Sequence, residues 1–131
     1  MTPARLLVPL SLALLAACAQ KPANVASLDD ADDCPLTLST GQTLILSLPS
    51  NPTTGYRWQV RDAAPGVLRS LGPEVYNADQ SKELVVGNGG QSVWRFKADS
   101  AGTGNLSLTY QQAWDADSAP QERFECVIRV H

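Results

Sequence analysis

The chain after residue 33 predicts an all-β sandwich, on three observations. Apolar residues there recur with period two rather than 3.6, the alternating segments are short and broken by Gly, Pro, Asn and Asp, and about 98 residues remain, enough for one small domain. Pro35 to Ser39 is the first segment, and Thr43 to Leu48 follows with Leu44, Leu46 and Leu48 on one face. Tyr56 to Val60 sets Tyr56, Trp58 and Val60 on one face, and weaker strands fall around Val67 to Tyr76 and Glu83 to Val86. From Ser92 to Ala98, Trp94, Phe96 and Ala98 oppose Arg95 and Lys97, and Leu106, Leu108 and Tyr110 share the face of the next segment. Glu122 to Val130 turns Phe124, Cys126, Ile128 and Val130 inward and Arg123, Glu125 and Arg129 outward. Seven or eight strands with turns at short intervals fit an immunoglobulin-like β-sandwich.

Composition removes several function classes. His131 is the single histidine of the 131 residues and stands last, where the sequence offers nothing to orient it, so histidine-based catalysis is not expected. A net charge of -3 argues against nucleic acid, whose phosphates call for a basic face. Cys18, Cys34 and Cys126 match no metal-ligand spacing, and neither metal nor cofactor is expected. Aspartates such as Asp115 and Asp117 have no visible carboxylate partner for general acid-base work, so the chain is not expected to be an enzyme.

Residues 1–17, with Arg5 as the only charge and an apolar run from Leu6 to Leu15, form a secretory signal pattern too short to span a bilayer. The run ends in Leu15-Ala16-Ala17-Cys18, which resembles the bacterial lipobox and implies cleavage before Cys18 and acylation of that residue. An ordinary signal peptide with Cys18 merely nearby is the alternative. The following Ala19-Gln20, rather than an aspartate, points to the outer membrane, facing the periplasm. Residues 18–33 are expected to be a flexible tether, with Asp29, Asp30, Asp32 and Asp33 a solvated spacer and no metal site. The domain itself is assigned to residues 34–131, where 8 basic against 9 acidic side chains leave a net charge of -1.

Cys34 precedes the first predicted strand and Cys126 lies on the inward face of the last, so in an oxidising compartment a disulfide between them is the natural pairing once Cys18 is acylated. A free reactive thiol is the alternative. The Asn105-Leu106-Ser107 sequon falls in a predicted strand and carries no weight.

Three connections ask for explanation. Ser50-Asn51-Pro52-Thr53-Thr54-Gly55-Tyr56 is longer than a tight hairpin needs and is stiffened by Pro52, while Gly55 permits positive φ. Gly87-Asn88-Gly89-Gly90 is almost bare backbone, suited to close approach by another surface. The third places Trp114 in polar company after Gln111-Gln112-Ala113, although its parity with Leu106, Leu108 and Tyr110 also allows it to plug the end of the core.

The strings SNPTTGYRW, GNGG and LTYQQAW, in this order on an all-β domain, resemble the chagasin family of cysteine-protease inhibitors over about residues 36–130. The resemblance implies a sandwich whose three loops form a wedge that enters the cleft of a papain-like cysteine protease, blocking it reversibly. Asn51, Pro52, Thr53, Thr54, Gly55 and Tyr56 match the central loop, with Thr53 and Thr54 over the target's catalytic cysteine and histidine. Gly87, Asn88, Gly89 and Gly90 match the loop that runs along one side of the cleft, and Gln112, Ala113 and Trp114 match the loop on the other. Where the family has Arg-Pro before the tryptophan this chain has Gln112-Ala113, which implies a less stiff approach to Trp114 and weaker affinity or a different preferred protease. The expected partners are a papain-like protease and, through Cys18, a membrane, with the protein acting as a monomer. A structural or adhesive envelope lipoprotein is the alternative.

Overall fold

A computed structural model describes residues 3–4, 24–78, 89–115 and 117–131. Cys18, the body of the signal segment, Gly87, Asn88 and the expected strand at 83–86 lie outside these residues. Nine strands are described: β1 (Val25–Leu28), β2 (Leu36–Leu38), β3 (Thr43–Ser50), β4 (Tyr56–Ala63), β5 (Leu68–Ser70), β6 (Val75–Ala78), β7 (Gly90–Ala98), β8 (Gly102–Gln112) and β9 (Glu122–Val130). They form two sheets, one in the order β1-β3-β7-β5 with β6 also on β7, the other β2-β9-β8-β4. The expected all-β sandwich is thus present, with two differences among its strands. The weak segment at 67–76 divides into β5 and β6, which follow one another along the same edge of β7, against Phe96 to Ala98 and against Gly90 to Val93.

The second difference is β1, which falls in the segment expected to be tether. It pairs in parallel with β3, Val25 opposite Thr43 and Leu28 opposite Leu46, and Leu28 is fully buried. A 3-10 turn at Ala31–Asp33 follows, capped by the Asp30 side chain, which accepts from the Asp32 N–H at 2.9 Å. Part of the acidic run therefore has a local structural role, and the folded unit starts near residue 24 rather than 34.

Period-two alternation fills the space between the sheets. Leu44, Leu46 and Leu48 of β3 and Trp94, Phe96 and Ala98 of β7 face Leu106, Leu108 and Tyr110 of β8 and Phe124, Cys126, Ile128 and Val130 of β9, all buried. At about 1.5–3 kcal/mol for each fully buried large apolar side chain, this layer is the main source of stability. Val60 pairs with the buried Leu108 but stands on the edge strand β4 and is 41% exposed, and the register of β4 shifts just beyond it, between Val60 and Asp62. A bulge of this kind turns the side chains beyond it.

Cys34 and Cys126 form the expected disulfide, with Cα atoms 5.3 Å apart and a sequence separation of 92. His131 is better held than its terminal position implies. Its N–H donates to the Leu38 carbonyl at 3.0 Å, and its own carbonyl accepts from the Thr40 N–H at 2.9 Å. The imidazole is exposed, with Nε2 3.5 Å from the Ser39 hydroxyl.

Candidate functional site

Strand register decides which loops meet. β3 and β4 belong to different sheets, so residues 51–55 cross the end of the sandwich from one sheet to the other. On the first sheet Ser50 pairs with Gly90, which places Gly89 and Gly90 beside the start of this crossing. On the second sheet Tyr56 pairs with Gln112, which places Ala113 and Trp114 beside its finish. The glycine segment, the central loop and the tryptophan loop therefore stand side by side at one end of the fold, in that order.

The central loop is shaped by its own side chains. Pro52–Thr54 make a 3-10 turn, pre-set by proline at its first position and closed by Gly55 at φ 82°. Asn51 caps the turn, its Oδ1 accepting from the Thr53 N–H at 3.3 Å and from the Thr53 hydroxyl at 2.6 Å. The Thr54 hydroxyl donates to the Asn51 carbonyl at 2.7 Å, and the Gly55 N–H donates to the Pro52 carbonyl at 3.0 Å. Both threonines are exposed, yet their hydroxyls are already engaged within the loop.

Trp114 is 72% exposed and so is not a core plug. β8 ends at Gln112, and the turn that follows breaks the parity that would have carried position 114 inward. The indole instead lies across Gly55, where an added Cβ would collide with Cη2 and stand 2.8 Å from Cζ3. The turn beneath it is closed by the Asp115 N–H on the Gln112 carbonyl at 3.1 Å, and the loop returns with the Gln121 N–H on the Tyr110 carbonyl at 2.9 Å. These two backbone bonds bracket the loop that carries Trp114. On the other flank, a Cβ on Gly89, at φ 62°, would meet the Ser50 carbonyl at 3.3 Å, and one on Gly90 would overlap the backbone of Asn77 and Ala78.

Sequence reasoning placed Trp58 and Tyr110 in the core, where they are, and missed their polar ends. Trp58 Nε1–H donates to the Pro49 carbonyl at 2.9 Å, and the Tyr110 hydroxyl accepts from the Asn51 N–H at 3.0 Å. The usable signal was that a buried Trp or Tyr at the end of a core needs a hydrogen-bond partner. Among the described residues no group of three or more His, Cys, Asp or Glu is placed to hold a metal.

The sandwich brings three connections together at one end, with Trp114 exposed among them. The chain belongs to the chagasin family of peptidase inhibitors (I42), whose model matches residues 37–128. It is similar to chagasin of Trypanosoma cruzi, 30% identical over 100 residues that cover 73% of this chain and 88% of that one. It is also similar to amoebiasin-1 of Entamoeba histolytica, 29% identical over 102 residues covering 78% and 95% of the two chains. In fold it matches the crystal structure of the cysteine protease inhibitor EhICP2 of Entamoeba histolytica, with TM-score 0.72 at 19% identity over 82% of this chain and 96% of that one. The protein is a cysteine protease inhibitor of this family and not an enzyme.

Proposed function

We propose that the protein inhibits papain-like cysteine proteases reversibly and without a covalent bond, inserting the three loops as a wedge into the active-site cleft. The observation that carries this reading is the lateral order of the loops, with Trp114 packed on Gly55 at one side and Gly89 against Ser50 at the other. A papain-like cleft is a groove that takes extended chain, and a ridge of this form fills it without presenting extended chain to the nucleophile. The turn at Pro52–Thr54 is bonded to itself, so its peptide bonds are not offered in a cleavable conformation. Thr53 and Thr54 sit at the crest over the catalytic pair, Gly89 and Gly90 contribute backbone on one flank, and Trp114 with Gln112 and Ala113 contributes area on the other.

The lipobox-like Leu15-Ala16-Ala17-Cys18 supports a bacterial lipoprotein held in the envelope by an acylated Cys18. Titrating papain with the domain of residues 24–131 tests the inhibitory reading. Stoichiometric, reversible loss of activity with the inhibitor recovered uncut is expected. Full protease activity at saturating protein overturns the proposal in favour of an adhesive role.

A further inference from the structure

The central loop is held from beneath by two aromatic side chains of the opposite sheet, and both bonds fall on its entry. Pro49 and Ser50 end β3 in the first sheet, whereas Trp58 and Tyr110 stand on β4 and β8 in the second. Trp58 Nε1–H grips the Pro49 carbonyl at 2.9 Å, and two residues later the Tyr110 hydroxyl receives the Asn51 N–H at 3.0 Å. Between them Ser50 is 7% exposed. The rings support each other, Trp58 and Tyr110 with centroids 4.9 Å apart and Tyr56 and Tyr110 5.4 Å apart. Asn51 is the residue whose side chain caps the turn and engages Thr53, and whose carbonyl engages Thr54. Fixing the Asn51 backbone therefore fixes the direction of the whole crest.

We propose that Tyr110, backed by Trp58, is a positioning residue: its hydroxyl latches Asn51 across the sandwich and sets the central loop in its binding shape before a protease arrives. The functional half of this inference rests on the wedge reading above. Tyr110→Phe is the direct test, because it keeps the buried ring and its stacking and removes only the acceptor for the Asn51 N–H. A neutral hydrogen bond shifts such an equilibrium by roughly two- to tenfold. The equilibrium constant for the competent loop should fall by that factor, and the association rate by up to the same factor, while dissociation changes little, since the bound loop is held by the target.

Two measurements on the 24–131 domain separate the latch from the wedge. Amide hydrogen exchange should quicken at Asn51, Thr54 and Gly55 in Tyr110→Phe, with the β8–β9 ladder around Leu106 and Cys126 unchanged. Association and dissociation rates with papain should then show the slower association. Trp114→Ala serves as the contrast, expected to speed dissociation and leave exchange at Asn51 as in the parent. Exchange at Asn51 equal in Tyr110→Phe and parent overturns the latch, and quickened exchange with an unaltered association rate overturns its part in binding. A parent that does not inhibit papain overturns the wedge reading instead, and the exchange comparison still decides the latch.

Discussion

Gly55 carries two constraints that only the folded chain brings together. Its φ of 82° penalises any side chain, and the face where a Cβ would project is covered by the Trp114 indole. The left-handed region costs an L-residue about 1–2 kcal/mol, and the collision adds the cost of displacing the ring. Gly55→Ala is therefore expected to weaken papain inhibition at least tenfold, and to cost less in a Trp114→Ala background, where one of the two penalties is gone. A double-mutant cycle of inhibition constants checks this, with coupling of about 0.5–3 kcal/mol expected for residues in contact. Trp114→Ala alone removes a side chain that can bury roughly 150–250 Å². It should cost 2 kcal/mol or more in binding, in the manner of a hot spot. Because Trp114 is 72% exposed in the free protein, its removal should leave the melting temperature nearly unchanged. An unaltered inhibition constant with a sharply lower melting temperature would contradict both halves. The motif strings located Gly55 and Trp114, but their contact depends on Tyr56 pairing with Gln112, and register is a property of two strands that neither string contains.

β1 shows where pattern reading stops. Val25-Ala26-Ser27-Leu28 is too short to display a period, and it adjoins Asp29 and Asp30, so composition pointed to a tether. Only the edge of β3, with unpaired backbone groups and an uncovered core position, makes a strand of it. The longer segments were legible because β3, β7, β8 and β9 repeat the alternation often enough to define a face. By contrast, the register shift between Val60 and Asp62 leaves no mark in composition. Leu28 is fully buried, and replacing a buried leucine by alanine costs about 2–5 kcal/mol. Leu28→Ala should therefore lower the denaturation midpoint of the 24–131 domain substantially, and a domain cut at residue 34 should be less stable than one cut at residue 24. Equal midpoints for the two truncations would return residues 24–33 to the role of tether.

Across the whole molecule, the disulfide and the chain entry both lie away from the end that carries the three loops. Cys126 pairs with Leu106, six residues before Gln112 in β8, and closing a loop of 92 residues restricts the unfolded chain by about 4–5 kcal/mol on the entropy model. Reduction should lower the melting temperature, with inhibition preserved at temperatures where the reduced domain remains folded. The entry sets orientation. β1 runs parallel to β3 with Val25 opposite Thr43, and β3 finishes at Ser50 beside the central loop, so the chain enters at the end of the sandwich opposite the wedge. Eight residues of β3 at about 3.3 Å each separate the two ends by roughly 26 Å. From an acylated Cys18 to Asn24 the chain cannot reach more than about 22 Å even fully extended. If Cys18 is acylated as proposed, the entry end stays within about 22 Å of the lipid, too close for the sandwich to stand inverted with its loops against the surface. Full-length lipidated protein on vesicles should accordingly inhibit soluble papain with a constant close to that of the free 24–131 domain, and a Cys18→Ala chain should inhibit equally while failing to partition with the vesicles. Loss of inhibition on anchoring, by tenfold or more and reversed by releasing the domain with a protease site placed at residue 22, would mean that the lipid surface covers the wedge and that this orientation is wrong.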